Sequence, residues 1–289
     1  MATLPSTARP ALAIVLILGA IFCFGLMDVA VKAAGVQTSV LIILWARYGG
    51  QLLIVLVLKA RQLPRLIHTR YLGLQIARSV LLLLATAFFF LALGQIGLAQ
   101  ATAIMALNPV LITLGGALLL GEALGLRRIA AIIVALVGAL IVIQPGSEVF
   151  QPAALLPLAG AACFAGHALI TRSLGPDEDV WTSMLYTGIV GAVIMTALAP
   201  FDRSAVAPDA TLLLIAVGLF GTVGQVLLVR AFSLAEAGTL APFIYTGLIW
   251  AVIWGVVLFD ERPDGATLFG ALVIAGAGIY VWHRETRTR

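Results

Sequence analysis

The ionisable side chains buried in long apolar stretches are few: Asp28, Arg47, Arg78 and His167. A charge inside a lipid-crossing segment is expensive and marks a pathway for ions or solutes, or a structural pair. Asp28 lies about six residues before the end of the first apolar run and Arg47 about seven after the start of the second. At about 1.5 Å per residue both sit roughly 10 Å below one surface, so they can meet. Facing a cavity, they would hold the ammonium and carboxylate of a solute. The plainer alternatives are a structural ion pair, or Asp28 bonded to Lys32 one turn on. Arg78 sits in the opposite half, where a long basic side chain is expected to snorkel to the nearby surface. His167 titrates near neutral pH and is the candidate for proton coupling, its alternative being a hydrogen-bonded helix contact.

Neutral candidates lie in two related stretches, 99–122 and 238–261, each long, apolar and ended by an acid, Glu122 or Glu261, 139 residues apart. Asn108 precedes Pro109, whose ring removes a backbone donor and frees carbonyls of the previous turn, so the segment is irregular at its centre. Pro242, Thr246, Trp250 and Trp254 recur every four residues on one face; Trp250 is too deep for an interfacial aromatic belt. Pro109 and Pro242 are read as hinges, and Asn108, Tyr245, Thr246, Trp250 and Trp254 as solute contacts. Packed or lipid-facing aromatics are the alternative. Glu122 and Glu261 are read as latches turned toward the N-terminus of the next helix or toward an adjacent arginine such as Arg127, Arg128 or Arg262.

The elements that position these residues follow from composition. The 289 residues are 62% hydrophobic and 10% charged, far from the ~25% charged of soluble domains. With ~20 residues needed per crossing, the chain accommodates ten spans: 11–34, 39–59, 71–94, 98–121, 127–144, 153–172, 180–199, 209–231, 239–260 and 265–283. Loops are short and no soluble domain fits between them. The two cysteines, Cys23 and Cys163, fall inside spans, the three histidines are scattered, and neither a disulfide frame nor a metal site is expected. With the first residues inside, twelve Lys and Arg flank the inner ends against Lys32, Arg203 and Arg262 outside, which predicts both termini in the cytoplasm.

Cys23-Phe24 recurs as Cys163-Phe164, Lys32 as Arg172, Gly35 as Gly175, Ala92 as Ala231, Glu122 as Glu261 and Gly138 as Gly278, at offsets of 139 or 140. Five spans per copy is odd, so the second copy enters the membrane upside-down. The expected fold is all-α and integral to the membrane: ten transmembrane helices as two inverted five-helix repeats, 1–145 and 146–289, around a central cavity.

Gly25 to Lys32, Arg47, Asn108-Pro109-Val110 through Gly121-Glu122, Ala241-Pro242-Phe243, Tyr245-Thr246 and Trp250 through Glu261 together resemble the drug/metabolite transporter superfamily, specifically its EamA-type ten-helix members. The resemblance implies a bacterial inner-membrane exporter of amino acids, including aromatic ones, or related metabolites, with the fifth and tenth helices peripheral. Two features depart from it: Leu248 stands where a counterpart of Pro109 would, and Asp28 is not general to the family. Efflux of cationic drugs is the rival within transport. No Gly-x-Ser-x-Gly, His-Glu-x-x-His or membrane aspartate pair points to an enzyme, and no docking domain points to a sensor. The expected partners are the bilayer, a small solute and the proton; no cofactor, metal or nucleic acid is expected, and the chain is read as a monomer or weak dimer.

Overall fold

The structure is a computed structural model that describes residues 10–120, 125–148, 150–174, 178–202, 206–234 and 237–287. Among them every regular element is helical. In chain order these are α1 (Pro10–Ala34), α2 (Val40–Lys59), the short α3 (Leu63–Leu66), α4 (Leu72–Leu93), α5 (Leu98–Met105), α6 (Asn108–Leu120), α7 (Leu126–Ile143), α8 (Leu155–Leu174), α9 (Val180–Leu198), α10 (Ala210–Leu234), α11 (Ala237–Ile244), α12 (Thr246–Phe259) and α13 (Gly265–Arg287). Eight segments are long and apolar enough to cross a membrane, and Ile129–Ile143 and Gly265–Tyr280 are shorter apolar helices. In hydrocarbon every backbone group must be satisfied within the chain, so a bundle of helices is the form such a sequence takes. Outward-facing leucines and valines such as Val57, Leu118, Leu212 and Leu272 give it an apolar exterior.

Helix ends follow local chemistry. Ser39 caps α2 by accepting from Ile42 N–H at 3.3 Å, and its hydroxyl also donates to Asp202. Asp179 caps α9 through Trp181 N–H at 2.9 Å, and Asp264 caps α13 through Thr267 N–H at 2.8 Å; each satisfies a donor the first turn leaves orphaned. α12 ends on Asp260 in the left-handed conformation (φ 50°), with the Glu261 N–H folding back to the Gly255 carbonyl at 2.9 Å.

Two segments are broken. The turn between α5 and α6 falls at Ala106–Leu107, immediately before Asn108-Pro109. In the second segment the break is at Tyr245, after Pro242: Tyr245 N–H reaches Pro242 O at 3.3 Å and Leu248 N–H reaches Tyr245 O at 3.1 Å, a tightened turn.

The packing joins one half of the chain to the other. α1 lies along α10 and α4 along α8, α2 pairs with α9, and α7 with α13. Exchanging the halves carries the first of these pairs onto the second. Glycines allow the closest crossings. A Cβ on Gly218 of α10 would stand 2.9 Å from the Ala46 carbonyl of α2, and one on Gly270 of α13 would stand 2.7 Å from the Gly138 carbonyl of α7. The largest buried cluster gathers Met27, Tyr48, Phe89, Phe90 and Val217, with Phe24 and Trp254 against it.

Candidate functional site

Lys32 and Glu261 meet near the ends of four helices. Lys32 Nζ lies 2.6 Å from Glu261 Oε1 and donates to the carbonyls of Leu93 (2.8 Å) and Ile96 (2.9 Å). Glu261 Oε2 accepts the Leu98 N–H at 2.8 Å, placing an anion at the N-terminus of α5, where the helix dipole favours it. The network ties together the ends of α1, α4, α5 and α12. Glu261 thus turns neither to Arg262 nor to the helix that follows it, and Lys32 does not bond Asp28. Glu122 and the side chains of Arg127 and Arg128 lie outside the described residues.

Beside this network, a cavity of about 210 Å³ opens between the start of α5, the end of α7 and the start of α13. Gln100, Gln144, Glu261, Arg262, Asp264 and Thr267 line it. Gln144 donates to Asp264 Oδ2 at 2.6 Å. Hydrogen bonds from the Thr267 side chain and backbone, and from Gln144, hold the Asp264 carboxyl below the usual carboxylate range, outweighing the upward push of partial burial. None of the residues read as solute contacts lines this cavity.

One turn before Asp28, α1 meets the aromatic residues of α12. A Cβ on Gly25 would lie 3.4 Å from Trp254 Nε1 and 3.6 Å from Trp250 Cβ. The two indoles stack with centroids 5.6 Å apart, and Phe22 meets Trp250 edge-on at 4.9 Å. Asp28 Oδ1, Asn108 Oδ1 and Trp254 Nε1 are each enclosed with no hydrogen-bond partner, an arrangement that costs free energy unless a ligand or water completes it.

The other candidates are placed differently. Arg47 is buried and donates to Gln51 Oε1 at 2.9 Å, Gln51 in turn donating to Met184 O at 3.0 Å; its guanidinium crosses the bare backbone of Gly221 on α10. It makes no ion pair with Asp28. Thr246 spends its hydroxyl on Phe243 O at 2.6 Å, as threonines in apolar helices do. The Tyr245 ring lies against α13 at Gly278, where no side chain would fit, and its hydroxyl is enclosed with no hydrogen-bond partner.

At the opposite ends of the helices Arg78 does not snorkel: it is 6% exposed and donates to Gln75 Oε1 at 3.2 Å. His167 Nδ1 lies 2.9 Å from the Arg78 carbonyl. A carbonyl oxygen only accepts, so this nitrogen carries the proton and Nε2 of the neutral ring presents its lone pair.

A family model for the EamA-like transporter family matches residues 11–144 and again 151–282. The chain belongs to the EamA-like transporter family. It is 30% identical over 274 residues to the riboflavin transporter of Brucella anthropi, covering 92% of this chain and 96% of that protein. It is also 30% identical over 264 residues to the pseudopaline exporter CntI of Pseudomonas aeruginosa, covering 89% and 91%. A solved crystal structure superposes with a TM-score of 0.63 over 96% of this chain and 98% of the other, at 19% identity, a likeness of fold. This EamA-like chain is a multi-pass membrane transporter, and its relatives are transporters rather than enzymes. The Lys32–Glu261 pair went unread in the sequence, although each member has a counterpart in the other copy, Arg172 for Lys32 and Glu122 for Glu261, a co-repetition that singles them out.

Proposed function

We propose that the protein is a bacterial inner-membrane carrier that exports small amphipathic metabolites, amino acids with aromatic side chains foremost, by alternating access of two inverted repeats, 1–145 and 146–289. The half-exchange of helix pairs supports the repeat, and the excess of Lys and Arg at the Arg78 end supports a cytoplasmic position for that end and for both termini. The Lys32 end then faces outward, held shut by its ion pair. The observation that carries the reading is the enclosed, unpartnered polar atoms of Asp28 and Trp254 where α1 meets the Trp250–Trp254 stack, Asn108 Oδ1 being likewise enclosed and unpartnered. Asp28 would receive the ammonium, Asn108 and Trp254 would hydrogen-bond the solute, and the indoles would take its flat apolar part. His167 is the group assigned to proton coupling, and Pro109 and Pro242 mark the broken segments about which the halves rock. Arg47, locked to Gln51, holds α2 against α10.

Efflux from proteoliposomes preloaded with mixed amino acids and riboflavin, with and without a pH gradient, tests this. Preferential loss of aromatic amino acids supports it; retention of every amino acid while riboflavin leaves overturns the choice of solute. A second reading, efflux of organic cations, is favoured by the unpaired Asp28 Oδ1. Under it, Asp28→Asn abolishes movement of permanent cations and leaves neutral amino acids unchanged. Under the first, Asp28→Asn lowers amino-acid efflux about tenfold or more, the loss expected for a hydrogen bond to charge.

A further inference from the structure

Arg78 is a cation in a membrane-crossing helix, and no carboxylate among the described residues forms an ion pair with it. Among the described residues its one side-chain hydrogen bond goes from Nη1 to the neutral Gln75 amide. Nε is enclosed and unpartnered. Occupying Nη1 leaves the Nε and Nη2 edge of the guanidinium, whose two parallel N–H groups fit a carboxylate.

The surroundings are polar, and they come from three helices. Gln75 is fully buried and donates to Ser183 Oγ at 3.3 Å. Ser79 donates to Gln75 O at 2.6 Å and lies 3.5 Å from Thr187. His167 binds the Arg78 carbonyl and leaves Nε2 open. The acid whose charge reaches Arg78 is Glu178; it accepts from Thr69 at 2.9 Å and makes no ion pair with Arg78. Lys59, Arg61, Arg65 and Arg70 follow on the same end of the bundle, so the local field favours an anion. Arg47, the other buried arginine, has no enclosed nitrogen lacking a partner.

A buried cation without a bonded counter-charge is costly. Among the described residues no carboxylate bonds this guanidinium, which leaves its Nε and Nη2 edge open to an anion brought by a solute. We infer that Arg78, with Gln75, Ser79, Ser183 and Thr187 around it on α4 and α9, forms a carboxylate-binding subsite that the solute occupies before it reaches Asp28 and the tryptophans. Arg78 lies six residues into α4 and Asp28 six residues before the opposite end of α1. Each is about 9 Å below its own surface, so in a hydrocarbon core about 30 Å thick one amino acid meets them in turn, not together. The subsite rests on the transport reading for its role, but binding at it can be measured alone.

Two measurements separate the claims. Detergent-purified protein is expected to gain thermal stability with benzoate and not with benzamide, and Arg78→Gln to lose that gain. Arg78→Lys, which keeps the charge but not the fork, should require at least about tenfold more benzoate. Equal responses to benzoate and benzamide, or a gain that survives in Arg78→Gln, overturn the subsite. In proteoliposomes, Arg78→Gln should lower phenylalanine efflux at least about tenfold while phenylethylamine, which lacks the carboxylate, changes less than about twofold. A parallel fall of both solutes gives Arg78 a purely structural role and overturns the inference. Wild-type vesicles that move neither solute, with benzoate stabilisation intact, overturn the transport reading and leave the subsite standing.

Discussion

The two ends of the helix bundle treat buried charge in opposite ways. At the Lys32 end the cation has a carboxylate and two carbonyls, and Glu261 is bonded on both oxygens. At the Arg78 end the guanidinium donates to the neutral Gln75 amide and keeps an unpartnered nitrogen, Glu178 acting on it without an ion pair. A charge whose partners all come from the chain stabilises one arrangement of helices. A charge whose partner is missing stabilises whatever brings that partner, which in a transporter is the solute. The contrast is the ground for proposing a gate at the first end and a binding group at the second.

The largest effect is expected from breaking the satisfied end. Lys32 and Glu261 side chains are 14% and 21% exposed, so removing one strands the other in a largely dry place. Glu261→Ala is expected to lower stability by about 3 kcal/mol, the lower part of the range for an orphaned buried charge. The double variant Lys32→Met, Glu261→Leu should recover most of it, since an apolar pair of similar size avoids desolvation. Thermal unfolding of wild type, Lys32→Met, Glu261→Leu and the double variant in detergent measures the coupling; additive losses would mean that the pair does not act as a unit. The same variants should widen access of a thiol reagent to a cysteine placed near Gly97, if the pair holds that end shut.

At the other end the effect is smaller and shows in function. His167→Gln can keep a donor to the Arg78 carbonyl, so stability should fall by only about 1 kcal/mol. The lost property is the free ring nitrogen. Efflux in the absence of a pH gradient should survive, while its stimulation by an imposed gradient should vanish. Stimulation that persists in His167→Gln would move proton coupling elsewhere and leave His167 as a helix contact.

The architecture was legible because apolar runs of about 20 residues have no other use. The expected segments agree with the helices to within a few residues, and Asn108-Pro109 foretold the break before α6. The second break lies three residues after Pro242, at Tyr245, where bonds to the third residue back replace the α-helical ones. Side-chain partners were far less legible. Snorkelling of Arg78 follows from depth alone, whereas Gln75, one turn away, gives it a nearer partner than the surface. Tyr245 and Thr246 are read as solute contacts because they carry hydroxyls in an apolar run; the first packs on a glycine of α13 with its hydroxyl unpartnered, and the second bonds its own backbone. Such choices depend on which helix lies alongside, and that information is spread over the whole chain.

The smallest effect tests whether the satisfied end extends to its rim. Asp264 caps α13 and accepts from Gln144 across the cavity mouth. Because hydrogen bonds from Thr267 and Gln144 hold its carboxyl below the usual range, the folded state binds this proton less readily than the unfolded state. The sign then follows: the stabilisation is fully present above the ordinary aspartate pKa of about 3.9 and is lost as pH falls through the lower, folded value. Asp264→Asn keeps an oxygen to cap Thr267 N–H but carries no charge, so it should lose less than about 1 kcal/mol at neutral pH. The gap in melting temperature between wild type and Asp264→Asn should be constant from pH 7 to about 5 and close below about 4. A gap that does not narrow on acidification would mean that the carboxylate charge contributes nothing, and that the rim beside Glu261 is held by the cap geometry alone.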